Sequence, residues 1–159
     1  MKVLLRELKV EDAEISWKWR NDPEVWKLTG RKWSGNVTKE IEENWIRNVL
    51  KQEDSKRFAI CVGDQELYIG NVQLTNIRNK EAFFHIFIGE KQYWGKGIGS
   101  IATKLLLDYA KEELKLNTLK LIVKKSNIPA IKIYEKVGFI ISRSVDDKNY
   151  VMELSYDSH

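Results

Sequence analysis

The chain has 159 residues, 43% of them apolar and 31% charged, with a formal net charge of +4 and a pI near 9.0. These values fit one soluble domain over residues 1–159, with enough chain to build a core. They leave no apolar run long enough for a membrane span, and Met1–Glu7 lacks the apolar region of a signal peptide, so a cytoplasmic protein without membrane partners is expected. The lysines are dispersed rather than gathered on one arm, which argues against a nucleic-acid partner. A single cysteine and two histidines, His85 and His159, rule out an internal disulfide and Cys-rich or paired-His metal sites, so no metal is expected. Cys61 falls in an apolar strand pattern and reads as a buried structural thiol.

Residues 2–8 alternate like an edge strand, and Glu11–Arg20 reads as a helix that Asn21-Asp22-Pro23 ends. Residues 24–37 show no periodicity. Thr38 suits the N-cap of a second helix running to about Gln52, with Ile41, Trp45, Ile46 and Val49 on its inner side. Strand signals follow at Arg57–Val62, at Leu67–Ile77 with a bulge or bend expected at Gly70, and at Ala82–Gly89 after an Asn79-Lys80 turn. A helix from Ser100 to Leu116 is expected to bury Ile98, Ile101, Ala102, Leu105, Leu106 and Tyr109. Leu119–Val123 is a strand and Ile128–Val137 a short helix closed by Gly138. A hairpin around Asp146-Asp147-Lys148 joins Phe139–Ser142 to Tyr150–Leu154. The sum is an α+β fold around a mixed sheet.

The segment Tyr93-Trp94-Gly95-Lys96-Gly97-Ile98-Gly99-Ser100 joins an apolar strand to a helix. Alternate glycines let a ligand approach the backbone closely, and the first amides of a helix have no intrahelical acceptor. With the helix dipole, such a turn is a cradle for a phosphate or pyrophosphate. Neither the G-x-x-x-x-G-K-[ST] phosphate loop nor the G-x-G-x-x-G dinucleotide fingerprint is present; the spacing here is G-x-G-x-G. Downstream, Asn127, Ile131 and Tyr134 have the spacing of one helical face, and Pro129 suits the first turn.

Trp94–Gly99, followed by Asn127-Ile128-Pro129-Ala130-Ile131-Lys132-Ile133-Tyr134-Glu135-Lys136-Val137-Gly138-Phe139, resembles the GNAT family of N-acetyltransferases. The first stretch is similar to that family's R/Q-x-x-G-x-G/A motif, and the second matches N-x-x-A-x-x-x-Y-x-x-x-G-F at every defined position. Leu5-Arg6-Glu7-Leu8 and Trp19-Arg20-Asn21-Asp22-Pro23 are similar to the branch that acetylates ribosomal-protein N-termini, spermidine and amino-sugar nucleotides.

The resemblance implies a mostly antiparallel mixed sheet flanked by helices, and acetyl-CoA as co-substrate. It places the CoA pyrophosphate on the backbone of Trp94, Gly95, Lys96, Gly97, Ile98, Gly99 and Ser100. The pantetheine arm is expected beside Phe87, Ile88 and Gly89, with Asn127 near it and Tyr134 as proton donor to the departing thiolate. Lys91, Lys96, Lys124 and Lys125 lie close enough in sequence to meet CoA phosphates, although each taken singly reads better as a solvated lysine. Trp94 replaces the family's Arg or Gln, and Phe83 stands where many relatives carry a glutamate that relays the amine's proton. On that strand face His85 is the candidate base, with Glu81, Glu90 and Glu135 as water-relay groups, or solvent alone, as the alternatives.

The acceptor is expected between Trp19 and Trp45, a region holding Trp26, Trp33, Arg20, Asp22, Glu24, Glu42 and Glu43. It is a primary amine of a small molecule (a polyamine, amino sugar or amino-sugar nucleotide) or a protein N-terminus. A non-catalytic acyl-CoA sensor is the alternative. A homodimer through an exposed strand edge or apolar helix face is compatible with the pattern.

Overall fold

The computed structural model describes residues 1–29, 31 and 35–156, with the side chain of Leu28 excepted. Trp33 and His159 therefore lie outside the described residues. One seven-stranded sheet runs in the order β1-β2-β3-β4-β5-β7-β6. Its strands are β1 (Val3–Glu7), β2 (Lys56–Val62), β3 (Leu67–Arg78), β4 (Glu81–Ile88), β5 (Thr118–Lys124), β6 (Ile140–Ser144) and β7 (Asn149–Ser155). The helices are α1 (Ala13–Arg20), α2 (Pro23–Trp26), α3 (Lys39–Leu50), α4 (Ile98–Glu112) and α5 (Ile128–Val137).

Side chains alternate along the strands, so the sheet feeds two cores. Ile60, Val72, Leu74, Phe84, Leu106, Leu119 and Phe139 pack on the α4/α5 side. Trp19, Ile46, Ala59, Cys61 and Tyr68, with Phe87 partly buried, pack on the α1/α3 side. A bulge where Ile60 pairs with Gly70 and Cys61 with Tyr68 puts Ile69 out of register, at the bend expected from Gly70. Asn79 and Lys80 both take positive φ, of 53° and 62°, as a two-residue hairpin requires. Cys61 is buried, which pushes its thiol pKa up.

All strand pairs are antiparallel except β4 and β5. That parallel ladder covers only Glu81↔Thr118, Ala82↔Leu119 and Phe83↔Lys120. Beyond Phe83 the two strands run on with no ladder between them, which opens a split in the middle of the sheet.

Three expectations need correction. Residues 24–37 are not wholly irregular: Asp22 caps Glu24 N–H, Pro23 opens α2, and a 3-10 turn follows over Lys27–Thr29. The inner face of α3 omits Ile41, which is exposed, and includes Glu42. Glu42 accepts from Ser16 Oγ at 2.7 Å and from Arg20 Nη1 at 2.8 Å, which makes its burial tolerable. Finally, α4 starts at Ile98, with Gly97 as N-cap, and its buried face is rotated. Small Ala102, Thr103 and Ala110 lie inside and let the helix approach the sheet, while Ile101 and Leu105 stay 44% and 38% exposed.

Candidate active site

The glycine turn lies between β4 and α4. Gly95 and Gly97 have φ of 72° and 79°, in the left-handed region where a side chain is strained. A Cβ built at Gly95, Gly97 or Gly99 meets nothing within 4 Å, so the space above the turn is open. Trp94 N–H is bonded to Lys91 O and Ile101 N–H to Gly97 O, and among the described residues the amides from Gly95 to Ser100 have no acceptor. The first turn of α4 holds no acidic residue. A run of unpaired N–H groups at the positive end of a helix, facing open space, fits a diphosphate. Trp94 carries no charge to this site. Its indole Nε1 donates to Ile88 O at 2.9 Å and ties the turn to the end of β4.

The split supplies the second part. Gly89 N–H donates to Ile69 O at 2.7 Å, and Ile88 pairs opposite Gly70. In an antiparallel ladder that pattern makes Ile88 a non-hydrogen-bonded pair, so Ile88, Ile86 and Phe84 turn their main chain away from β3. The Phe84 N–H is taken by the last rung of the ladder to β5, which leaves the Phe84 carbonyl and the main chain of Ile86 and Ile88 facing the split. Of Phe87, Ile88 and Gly89, only Ile88 therefore offers main-chain groups there. The Gly89 amide is committed to β3, and the Phe87 side chain faces Trp19 and Trp26, with ring centroids 5.8 and 6.3 Å away.

Helix α5 brings Tyr134 across the split. The tyrosine ring meets Phe84 of β4 at 6.2 Å and Phe139 at 6.0 Å, both near edge-to-face. Phe139 is 1% exposed, and truncating such a residue to alanine costs about 3–5 kcal/mol. The Tyr134 hydroxyl has no hydrogen-bond partner among the described residues. Burial alone raises its pKa to about 12, so it keeps its proton at neutral pH. Asn127 caps α5 by accepting Ala130 N–H at 3.2 Å through Oδ1, leaving Nδ2 as a donor at the mouth of the split.

His85 lies on the other face of β4, and Thr75 Oγ1 is 3.0 Å from its Nε2. The residue keeps solvent-accessible surface although protein packs around the ring. Desolvation, then the charges of Arg31 and Arg57, lower its pKa to about 4. The alternative relay groups are engaged or remote: Glu90 accepts from Trp19 Nε1 at 2.7 Å, Glu81 lies 3.4 Å from Lys120, and Glu135 is exposed on α5. Lys91 bridges Asp22 and Glu24 at 2.8 Å each, so it fastens α2 to the glycine turn instead of facing a phosphate. Lys96 lies 6.0 Å from the Tyr93 ring and Lys125 5.1 Å from the Tyr150 ring. Lys124 is exposed.

On the α1/α3 side Trp19 is a core residue, whereas Trp26 and Trp45 are half-buried and flank the Arg20 guanidinium at 5.0 and 5.5 Å. Sequence reading passed over Arg57, which shares this face and lies 5.6 Å from the Trp45 ring. The period-2 pattern of β2 held the signal, because it puts an arginine on the same face as Ala59 and Cys61.

Comparison with known proteins agrees with this geometry. The chain is 31% identical over 135 residues to the acetyltransferase PseH of Campylobacter jejuni, covering 85% of this chain and 81% of that protein. It is 32% identical over 102 residues to the spermidine N(1)-acetyltransferase of Escherichia coli, covering 64% of this chain and 54% of that one. The fold superposes with a TM-score of 0.86 on spermidine N-acetyltransferase from Vibrio cholerae in complex with CoA and spermine, at 22% identity and over 96% and 95% of the two chains. Residues 2–140 match the acetyltransferase (GNAT) domain, and with a relative this similar over most of its length, the chain belongs to the GNAT acetyltransferase family.

Proposed function

We propose that this protein is a single-domain N-acetyltransferase that moves the acetyl group of acetyl-CoA directly to the primary amine of a small molecule. The observation that carries the reading is the split between β4 and β5, which has an open amide cradle near one end and the free Tyr134 hydroxyl against its wall. Acetyl-CoA supplies an acetyl group on sulfur, and its transfer to nitrogen breaks the carbon–sulfur bond and leaves a thiolate that needs a proton.

In this reading, the amides from Gly95 to Ser100 hold the diphosphate, and the Phe84 carbonyl with the split-facing main chain of Ile86 and Ile88 pairs with an extended amide arm as an added strand. Asn127 Nδ2 donates to the same arm. Tyr134 gives its proton to the leaving sulfur. Apolar surroundings that keep the phenol neutral also penalise a thiolate, so donor and acceptor pKa values rise together. His85 is neutral at pH 7, but taking a proton from an alkylammonium would be uphill by about 9 kcal/mol. We therefore assign that proton to water and give His85 the role of a neutral hydrogen-bonding partner on the acceptor side.

The relatives named for spermidine suggest small amines as acceptors, and a donor drawn from the cell's acetyl-CoA pool suggests a cytoplasmic enzyme. Among the described residues no helix is long and apolar enough to cross a membrane. One observation favours a non-catalytic CoA sensor instead, namely Phe83 in place of a relay glutamate. Thiol release from acetyl-CoA, measured across a panel of amines and N-terminal peptides, separates the two. Acceptor-dependent release supports the transferase. Tight CoA binding without release for any acceptor overturns it in favour of the sensor.

A further inference from the structure

We infer that the acceptor amine carries an anionic group, a phosphate ester or a carboxylate, and that Arg57 receives this group on the α1/α3 face of the sheet. The inference deepens the proposed acetyl transfer and rests on it. Arg57 pairs with Gln73, and Gln73 pairs with His85, so the three form one row across β2, β3 and β4. The row ends on the strand that borders the split. Neighbouring strands are about 4.8 Å apart, so Arg57 and His85 are separated by roughly two strand spacings. An amine held at the split and an anion held at Arg57 would thus be about 10 Å apart along the sheet, less the reach of the arginine side chain.

The Arg57 guanidinium is half-buried beneath Trp45. Its Nη2 donates to Gln52 Oε1 at 3.3 Å, and its Nε is buried with no acceptor among the described residues. Among the described residues no carboxylate lies within ion-pair distance of it, although the field of Asp54 reaches it. Burying a guanidinium without a counter-ion is unfavourable unless another partner supplies one. The planar fork of arginine matches phosphate and carboxylate oxygens two at a time.

The charges around the row point the same way. Asp22 and Glu24 are bound by Lys91, Glu42 by Arg20 and Ser16, and Glu90 by Trp19. Arg31 adds a second positive field, felt at His85 together with that of Arg57. The row thus carries the positive fields of Arg57 and Arg31 against one unengaged carboxylate, Asp54, whose field reaches Arg57, a balance that favours an amine with an anion attached over a polycation. Glu40 and Glu43 line a hollow with Thr38 and Lys39 at the start of α3, and they are the counter-charges a polyamine would need.

The test measures kcat/KM with acetyl-CoA for glucosamine 6-phosphate against glucosamine, 6-aminohexyl phosphate and 6-aminohexanoate against 6-aminohexanol, and spermidine. The expected result is an anionic amine favoured at least tenfold over its neutral counterpart, with the phosphate and carboxylate arms identifying the anion. In Arg57→Met, which keeps the stem packed on Trp45, this ratio should fall through KM, and Arg57→Lys should recover part of it. A preference for spermidine or the neutral amines, or a ratio unchanged in Arg57→Met, overturns the inference and leaves acetyl transfer standing. If no amine supports thiol release, acetyl transfer itself fails. Calorimetric titration of the same amines into CoA-saturated protein then decides the anion site: saturable binding of the anionic amines, lost in Arg57→Met, supports it, and no such binding overturns it.

Discussion

Replacing Gly99 with aspartate should move stability and donor binding in opposite directions. Gly99 lies in the first turn of α4, has no positive φ, and a Cβ there meets nothing within 4 Å. Leaving glycine in a helix gains about 0.3 kcal/mol for aspartate, and a carboxylate in the first turn gains about 0.3–1 kcal/mol from the helix dipole. The free protein should therefore be about 0.6–1.3 kcal/mol more stable, a rise of about 1–5 °C in Tm at this chain length. The same carboxylate enters the space assigned to the diphosphate. At about 4 Å one like-charge pair costs about 1–4 kcal/mol between bulk-water and protein-surface dielectrics, so CoA affinity should fall at least about fivefold. Differential scanning calorimetry of the free protein and isothermal titration with CoA read the two effects separately. A stabilised variant that binds CoA as tightly as the wild type would show that the diphosphate is held elsewhere. A destabilised variant would refute the geometry of the turn.

Tyr134→Phe keeps the contacts with Phe84 and Phe139, so stability should change little while kcat falls about 100-fold or more with KM nearly constant; an unaltered kcat for every accepted amine removes Tyr134 as proton donor. Because the pKa of His85 is about 4 in the fold and about 6.5 unfolded, the unfolded chain binds more protons between these values. Stability is thus fully present above pH 6.5 and is lost as pH falls toward 4. With solvent screening at an accessible ring the loss is about 1–2 kcal/mol, and urea midpoints of His85→Gln should show a correspondingly flatter acid limb; equal slopes in both proteins contradict the assigned environment. Gly89→Ala would push a Cβ into the Trp19 indole, so its unfolding free energy from urea titration should drop by about 1–3 kcal/mol, and an unchanged value means that the indole does not lie over Gly89.

What could be read from the chain alone was what local chemistry encodes. Helix α5 was bounded correctly because Asn127 caps it, Pro129 sits in its first turn and Gly138, at a φ of 117°, ends it. The glycine turn was legible for the same reason, since positive φ and open space at the backbone demand glycine. Helix α2 was not, because one turn has no periodicity and is held by the tertiary Lys91–Asp22–Glu24 clamp. The rotated face of α4 depends on how closely Ala102 and Ala110 let it approach the sheet. The split was invisible as well: β4 and β5 each read as an ordinary strand, and only their pairing shows that the ladder stops at Phe83. Arg57 escaped notice because its meaning depends on Gln73 and His85, which are distant in sequence and adjacent in the sheet.

The most direct test of the central claim, that the split and the glycine turn together hold the acetyl donor, is amide hydrogen exchange with and without CoA. The amides from Gly95 to Ser100 and those of Ile86 and Ile88 should slow together on binding, whereas those of β1 and β6 should not respond. Slowing confined to the turn would contradict the strand-addition reading of the split. No slowing at either segment, at a CoA concentration that saturates binding, would contradict the account as a whole.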